Sequence, residues 1–134
     1  MNSPYWLPAL VAVGVLARSG AAQATAGATD LVGVWRGTSV CQVRPSPCND
    51  EVVVYRISRA KARESVSLDA RKMVNGREEE MGILPCQLAA QGASFTCTIR
   101  NGVWRFTIRH DSLVGDLRLS DSTKYRDVRA ARSR

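Results

Sequence analysis

The sequence has little from which a reaction centre could be built. Its 134 residues include one histidine, His110. The Asp111 and Ser112 that follow it are chain neighbours in a turn, whereas a hydrolytic nucleophile, base and orienter are assembled across space. No Gly-rich phosphate loop is present, because Gly33 and Gly37 sit in a strand pattern and not ahead of a helix. There is no Cys-x2-Cys pair, and one imidazole does not complete a common zinc site. No apolar run approaches the roughly 20 residues a helix needs to span a bilayer. These absences argue against an enzyme, a bound metal and a cofactor, and they direct attention to binding.

The N-terminus carries a short apolar run, residues 8–17 (PALVAVGVLA), followed by small residues in which Ala22-Gln23-Ala24 fits a small-x-small cleavage site. The reading is a signal peptide over 1–24 and a single domain over 25–134. The first seven residues hold no cation, and Arg18 lies after the run. No cysteine lies directly after the run, so no lipid attachment is expected. Lys and Arg total 19 against 12 Asp and Glu, a net charge of +7. In an exported protein whose cations are spread along strands and interleaved with acids, that balance reads as a solvated surface and not as a nucleic-acid footprint. The expectation is a monomer secreted or held in a bacterial periplasm.

Four cysteines, at 41, 48, 86 and 97, all lie beyond the leader. An even count in a small exported domain predicts two disulfides, with three possible connectivities.

From residue 31 onward the chain alternates apolar and polar residues with period two, punctuated by turn residues. Eight antiparallel strands are expected, at about 31–42, 50–59, 65–74, 77–88, 93–100, 103–110, 113–119 and 123–131. Residues 59–74 also carry a four-residue apolar spacing, but pairing with the next segment favours strand from Ser65. Folding about Asn75-Gly76 pairs Leu68 with Ile83, Ala70 with Met81, Lys72 with Glu79 and Arg71 with Glu80, which explains the Glu78-Glu79-Glu80 run by cross-strand charge pairs. Folding about Asn101-Gly102 pairs Ile99 with Trp104, Cys97 with Phe106 and Phe95 with Ile108. Folding about Asp111-Ser112 pairs Phe106 with Leu117, Trp104 with Leu119 and Ile108 with Gly115. Folding about Gln91-Gly92 brings Cys86 opposite Cys97, which favours Cys41–Cys48 and Cys86–Cys97 as the bridges. Ile83 and Leu84 cannot both face the core, so a β-bulge is expected near Pro85, with Gly82 close by. Tyr125 and Val128 have opposite parity, which predicts a second irregularity in the last strand.

Gly33-x-Trp35 at the start of an eight-strand meander resembles the opening motif of the calycin superfamily, the lipocalins and their relatives. The layout, with a Cys-closed first turn and a second Cys pair mid-chain, also resembles small exported bacterial proteins of uncharacterised role. The calycin resemblance implies an all-β up-and-down barrel in which Gly33 allows tight packing at the closed end and Trp35 plugs it. A cation from the last strand, Arg126 or Arg129 and preferably Arg129, would then lie over the indole.

Two functions follow. The first is a barrel whose interior, lined by Trp35, Tyr55, Trp104, Phe106 and Leu117, holds a small apolar or amphipathic ligand. The second is an interaction or inhibitor protein that meets an envelope partner through its basic surface or the loop Gln42-Val-Arg-Pro-Ser-Pro-Cys48. Two prolines and a disulfide would preorganise that loop.

Overall fold

The computed structural model describes residues 31–90 and 92–134. The expected leader and its cleavage site lie outside the described residues. Eight strands form one closed antiparallel barrel in which each strand pairs with the next and the last with the first. They are β1 Gly33–Cys41, β2 Glu51–Arg59, β3 Ser65–Val74, β4 Arg77–Leu88, β5 Ser94–Ile99, β6 Gly102–Arg109, β7 Ser112–Leu119 and β8 Lys124–Arg132. Among the described residues no helix is long and apolar enough to cross a membrane.

Alternation builds the core directly. Inward positions such as Trp35, Val53, Tyr55, Ile57, Val66, Leu68, Phe95, Phe106 and Leu113 are buried, and their outward neighbours are mostly polar. Odd-numbered strands run away from one end and even-numbered strands return to it. Trp35, Ile57, Val66, Phe95, Ile108 and Leu113 therefore collect at one end of the barrel. Cys41, Glu51, Ile99 and Arg126 lie toward the other, which we call the mouth.

Both expected bridges are present, Cys41–Cys48 and Cys86–Cys97. By loop length each contributes about 2.5 to 3 kcal/mol on the chain-entropy argument. Two disulfides in so small a barrel are the usage of an oxidising compartment.

The hairpin registers need three corrections. In β3–β4, Arg71↔Glu80 and Lys72↔Glu79 stand as expected, but the core pairs are Leu68↔Leu84 and Ala70↔Gly82. Met81 is the extra residue, so the bulge lies at Met81-Gly82 and not at Pro85. Gly82, Leu84 and Cys86 consequently share the inward side, while Ile83 is turned out and 60% exposed. In β5–β6 the loop is Arg100-Asn101, giving Ile99↔Gly102, Cys97↔Trp104 and Phe95↔Phe106. In β6–β7 the loop is His110-Asp111, giving Arg109↔Ser112, Phe106↔Gly115 and Trp104↔Leu117. The irregularity expected in the last strand is there: Leu117↔Arg126 is followed by Arg118↔Lys124, which leaves Tyr125 as the extra residue.

Pro85 has a different job. The Leu88 N–H donates to the Glu64 carbonyl (2.7 Å) and the Ala89 N–H to the Ser94 carbonyl (2.8 Å). Backbone groups alternate in direction along a strand, so in this part of β4 the even residues face β3 and the odd residues face β5. Pro85 lacks an N–H where β4 would next donate to β5. The β4–β5 pairing consists of Leu88↔Phe95 and Gln87↔Thr96. Beyond it the two strands are tied by the Cys86–Cys97 bridge, with Cα atoms 4.3 Å apart.

Candidate functional site

The closed end is filled from the motif outward. Trp35 is wholly buried, and its indole Nε1 donates to the Leu31 carbonyl (3.0 Å). The lid is Arg132, whose guanidinium carbon lies 4.3 Å from the ring centroid. It is not Arg129, which is exposed on the outer face. The register explains the correction: Trp35 stands opposite Arg132 across β1–β8, while Thr38 stands opposite Arg129. Arg126 does turn inward, but at the mouth, opposite Cys41. Gly33 supplies the space. A Cβ there would come within 3.0 Å of Arg132 Nη1, the atom that donates to the Val32 carbonyl (3.0 Å). The φ of +144° at Gly33 also suits a residue without a side chain.

Above this plug, in the half of the barrel nearer the mouth, lies a cavity of about 230 Å³ lined by Tyr55, Leu68, Ala70, Met81, Gly82, Leu84, Ile99, Trp104 and Phe106. It sits against the seam where the β4–β5 ladder has stopped, with Leu84 on one side and Ile99 on the other. Its floor is aromatic. Phe106 stacks on Phe95 (centroids 5.0 Å apart) and on Trp104 (5.7 Å), and Tyr55 meets Phe106 edge-on at 5.7 Å. Such pairs add about 0.5 to 1.5 kcal/mol beyond their burial, so the floor is rigid.

Of the five lining residues expected from sequence, the structure brings Tyr55, Trp104 and Phe106 together on this cavity. Trp35 does not reach it, because it fills the closed end. Leu117 is buried beside Trp104 and Arg126 and does not line it. The missed residues are of two kinds. Leu68, Leu84 and Ile99 were visible as core-facing alternating positions. Met81 is also core-facing in the sequence pairing, opposite Ala70, and Gly82 is the one that depends on the bulge, which sets it against Ala70 on the cavity wall.

A polar group borders the cavity at the mouth. Arg126 Nη1 donates to the Ser39 hydroxyl (3.1 Å) and lies 3.5 Å from Glu51 Oε2, with both charged side chains largely covered. The Tyr55 side chain lies close to Ser39. Burial pushes the Tyr55 hydroxyl above the ordinary tyrosine range, with the nearby Glu51 charge adding to the effect. The folded state therefore holds this proton at a pH where the unfolded chain releases it, so the stability it contributes is full below about pH 10 and is lost as the pH rises above it. Tyr55→Phe will flatten that alkaline limb in a series of urea midpoints; an unchanged limb would assign it to another group.

The Cys41–Cys48 loop is pinned from outside the ring. Asp50 Oδ1 accepts from the Cys41 N–H (2.8 Å) and from Arg44 Nη2 (2.6 Å), and the Ser46 hydroxyl donates to the Val43 carbonyl (2.7 Å). The backbone bond from Cys41, with Arg44 beside it, holds the Asp50 carboxyl below the usual carboxylate range. His110 lies exposed in the β6–β7 turn at φ +55°. Among the described residues no three His, Cys, Asp or Glu side chains are grouped as a metal site would need.

No family model matches the chain. No curated protein matches its sequence either.

Proposed function

We propose that this protein is an exported, non-enzymatic barrel of the calycin kind that binds a small apolar ligand in the cavity beside the β4–β5 seam. The observation that carries the reading is the cavity itself, apolar on its walls and aromatic on its floor, next to the stretch of wall where the pairing of β4 with β5 has stopped. The size sets the ligand class. An apolar cavity of about 150 Å³ takes a benzene ring and drug-sized pockets begin near 300 Å³, so about 230 Å³ suits one substituted ring or a short acyl chain. The two disulfides and the leader-like N-terminus support secretion or a periplasmic location.

The test is a titration with toluene and 1-octanol, read from the Trp104 indole and from methyl shifts of Leu68 and Leu84. Leu84→Trp fills the cavity and will weaken binding at least tenfold while leaving the far-ultraviolet spectrum unchanged. Absence of saturable binding by either probe, or equal binding by the filled variant, would remove the pocket reading.

A second reading rests on the doubly anchored Cys41–Cys48 loop, which presents Gln42, Arg44, Pro45 and Pro47 to solvent. Asp50 and the disulfide fix its shape before any partner arrives, which lowers the entropic cost of association. Replacing Arg44 and Pro45 with alanine would then abolish capture of an envelope protein with no change in thermal midpoint.

A further inference from the structure

The outer surface of the barrel treats its arginines in two ways. On the β1–β4 side they are matched to acids: Arg36 and Arg56 both reach Glu78, at 3.4 and 2.7 Å, and Arg71 holds Asp69 at 3.0 Å. Arg71 also stands across from Glu80. On the β5–β7 side the acids run out. β5 contains none, and between Thr96 and Leu119 the acids are Asp111, in the far turn, and Asp116.

That side is concave. A groove of about 510 Å³ runs along the outer face at the mouth end, lined among others by Thr98, Arg100, Arg105, Arg118, Ser120 and Ser122. The register brings the cations there from three places. Thr98, Val103 and Arg118 form one row across β5, β6 and β7, with Arg105 in the next row and Arg100 in the β5–β6 turn. All three arginines are exposed. Arg118 meets Asp116 at 3.5 Å and donates weakly to the Ser122 carbonyl at 3.4 Å. The other acids near this face are engaged: Asp127 holds Lys124 at 2.6 Å, and Asp121 accepts the Thr123 N–H at 3.0 Å. Asp116 also stands opposite Arg105 across β6–β7, but among the described residues its ion pair is with Arg118.

We propose that this groove is a binding site for a phosphate-type oxyanion, separate from the apolar cavity. Three arginines line this one groove, Arg105 and Arg118 from adjacent strands and Arg100 from the turn between β5 and β6, and the planar donor geometry of a guanidinium matches the oxygens of a phosphate group. The hydroxyls of Thr98, Ser120 and Ser122 add neutral donors around the same concavity. Arg105 and Arg118 are rooted in a hydrogen-bonded sheet and Arg100 in the tight turn that joins two of its strands, so the backbone that presents them needs little reorganisation when the anion arrives. The phosphate could belong to free inorganic phosphate or to a lipid headgroup, since the groove opens at the rim of the barrel.

The experiment uses two probes on the full chain. Inorganic phosphate is titrated by calorimetry and by side-chain resonances of arginine. Sedimentation measures binding to vesicles of phosphatidylcholine alone and with an equal share of phosphatidylglycerol. Saturable phosphate binding assigns a free anion, and binding only to the anionic vesicles assigns a headgroup; either supports the site. Replacing Arg100, Arg105 and Arg118 together by glutamine will reduce the productive affinity at least tenfold, and each single change about threefold. Arg129→Gln, which removes an exposed cation from β8 outside the groove, will leave it within twofold. Equal losses from Arg129→Gln and from the groove variants would show a general charge effect and overturn the site, as would no binding of either probe. The cavity-filling Leu84→Trp, which keeps all three arginines, will bind phosphate as the native protein does, so this result stands or falls independently of the apolar ligand.

Discussion

Gly37→Ala will fail to form the closed barrel, or will form one less stable by about 3 kcal/mol or more, a size reserved for changes that the native structure cannot absorb. Gly37 stands midway along β1, opposite Val53 of β2 and Ala130 of β8. A Cβ on it would lie 1.9 Å from the Arg129 carbonyl oxygen and 2.5 Å from the Ala130 Cα. Both are backbone atoms, so no rotamer change relieves the contact. The only way out is to separate β1 from β8, and that contact closes the barrel. A suitable comparison is Gly76→Ala in the β3–β4 turn, where nothing lies within 4 Å of the added carbon and the cost comes from φ of +75° alone. That strain is worth about 1 kcal/mol. Urea unfolding of the two variants should therefore differ severalfold in lost stability. Equal losses would mean that β1 and β8 can separate at Gly37 without cost to the fold.

How much of this was legible in the sequence follows from what alternation encodes. Period-two patterning specifies faces, so the eight strands, the core residues and the Cys86–Cys97 bridge could be read directly. It does not specify position along the strand when an error is an even number of residues. Both the β5–β6 and β6–β7 hairpins are displaced by two from the sequence expectation. Each displacement leaves Phe95, Cys97, Trp104, Phe106 and Leu117 facing inward, so the pattern alone had no means of detecting it. The bulges are the reverse case. Parity conflicts at Ile83/Leu84 and at Tyr125/Val128 announce that an extra residue must exist somewhere, without saying where. The first sits at Met81-Gly82, and Pro85, the obvious suspect, instead withholds a donor from β5. The cavity depends on both facts: the bulge turns Gly82 and Leu84 inward, and the missing donor ends the ladder beside them. Arg132 was hidden for the same reason, because the cation facing Trp35 is set by the register of β8, and that register could not be fixed until Tyr125 was known to be the extra residue.

Trp35→Ala should cost about 3 to 5 kcal/mol, the range for truncating a buried tryptophan, and it tests the assignment of the lid as well as the plug. The whole indole is buried, it fills the end of the barrel where six strands bring their apolar residues together, and its N–H is bonded to the Leu31 carbonyl. Nothing adjacent can collapse into the space without moving the Arg132 guanidinium, which is held over the ring by the Val32 carbonyl and by Asp111, 3.3 Å from Arg132 Nε. The loss should therefore exceed what the removed surface alone would give. Arg132→Ala should cost about 1 kcal/mol, since a half-exposed cation–π contact contributes about 0.5 to 2 kcal/mol. Arg129→Ala should change stability by less than about 0.5 kcal/mol, as a solvated surface substitution does. Combining Trp35→Ala with Arg132→Ala should cost less than the sum of the two, because once the indole is gone the guanidinium has no ring to cover. The same cycle run with Arg129 should be additive. Urea midpoints across these five variants, at one pH and ionic strength, separate the alternatives: coupling of Trp35 to Arg129 in place of Arg132 would require a β8 register three residues away from the one that closes this barrel, an odd shift that would also turn Val128 and Ala130 out of the core.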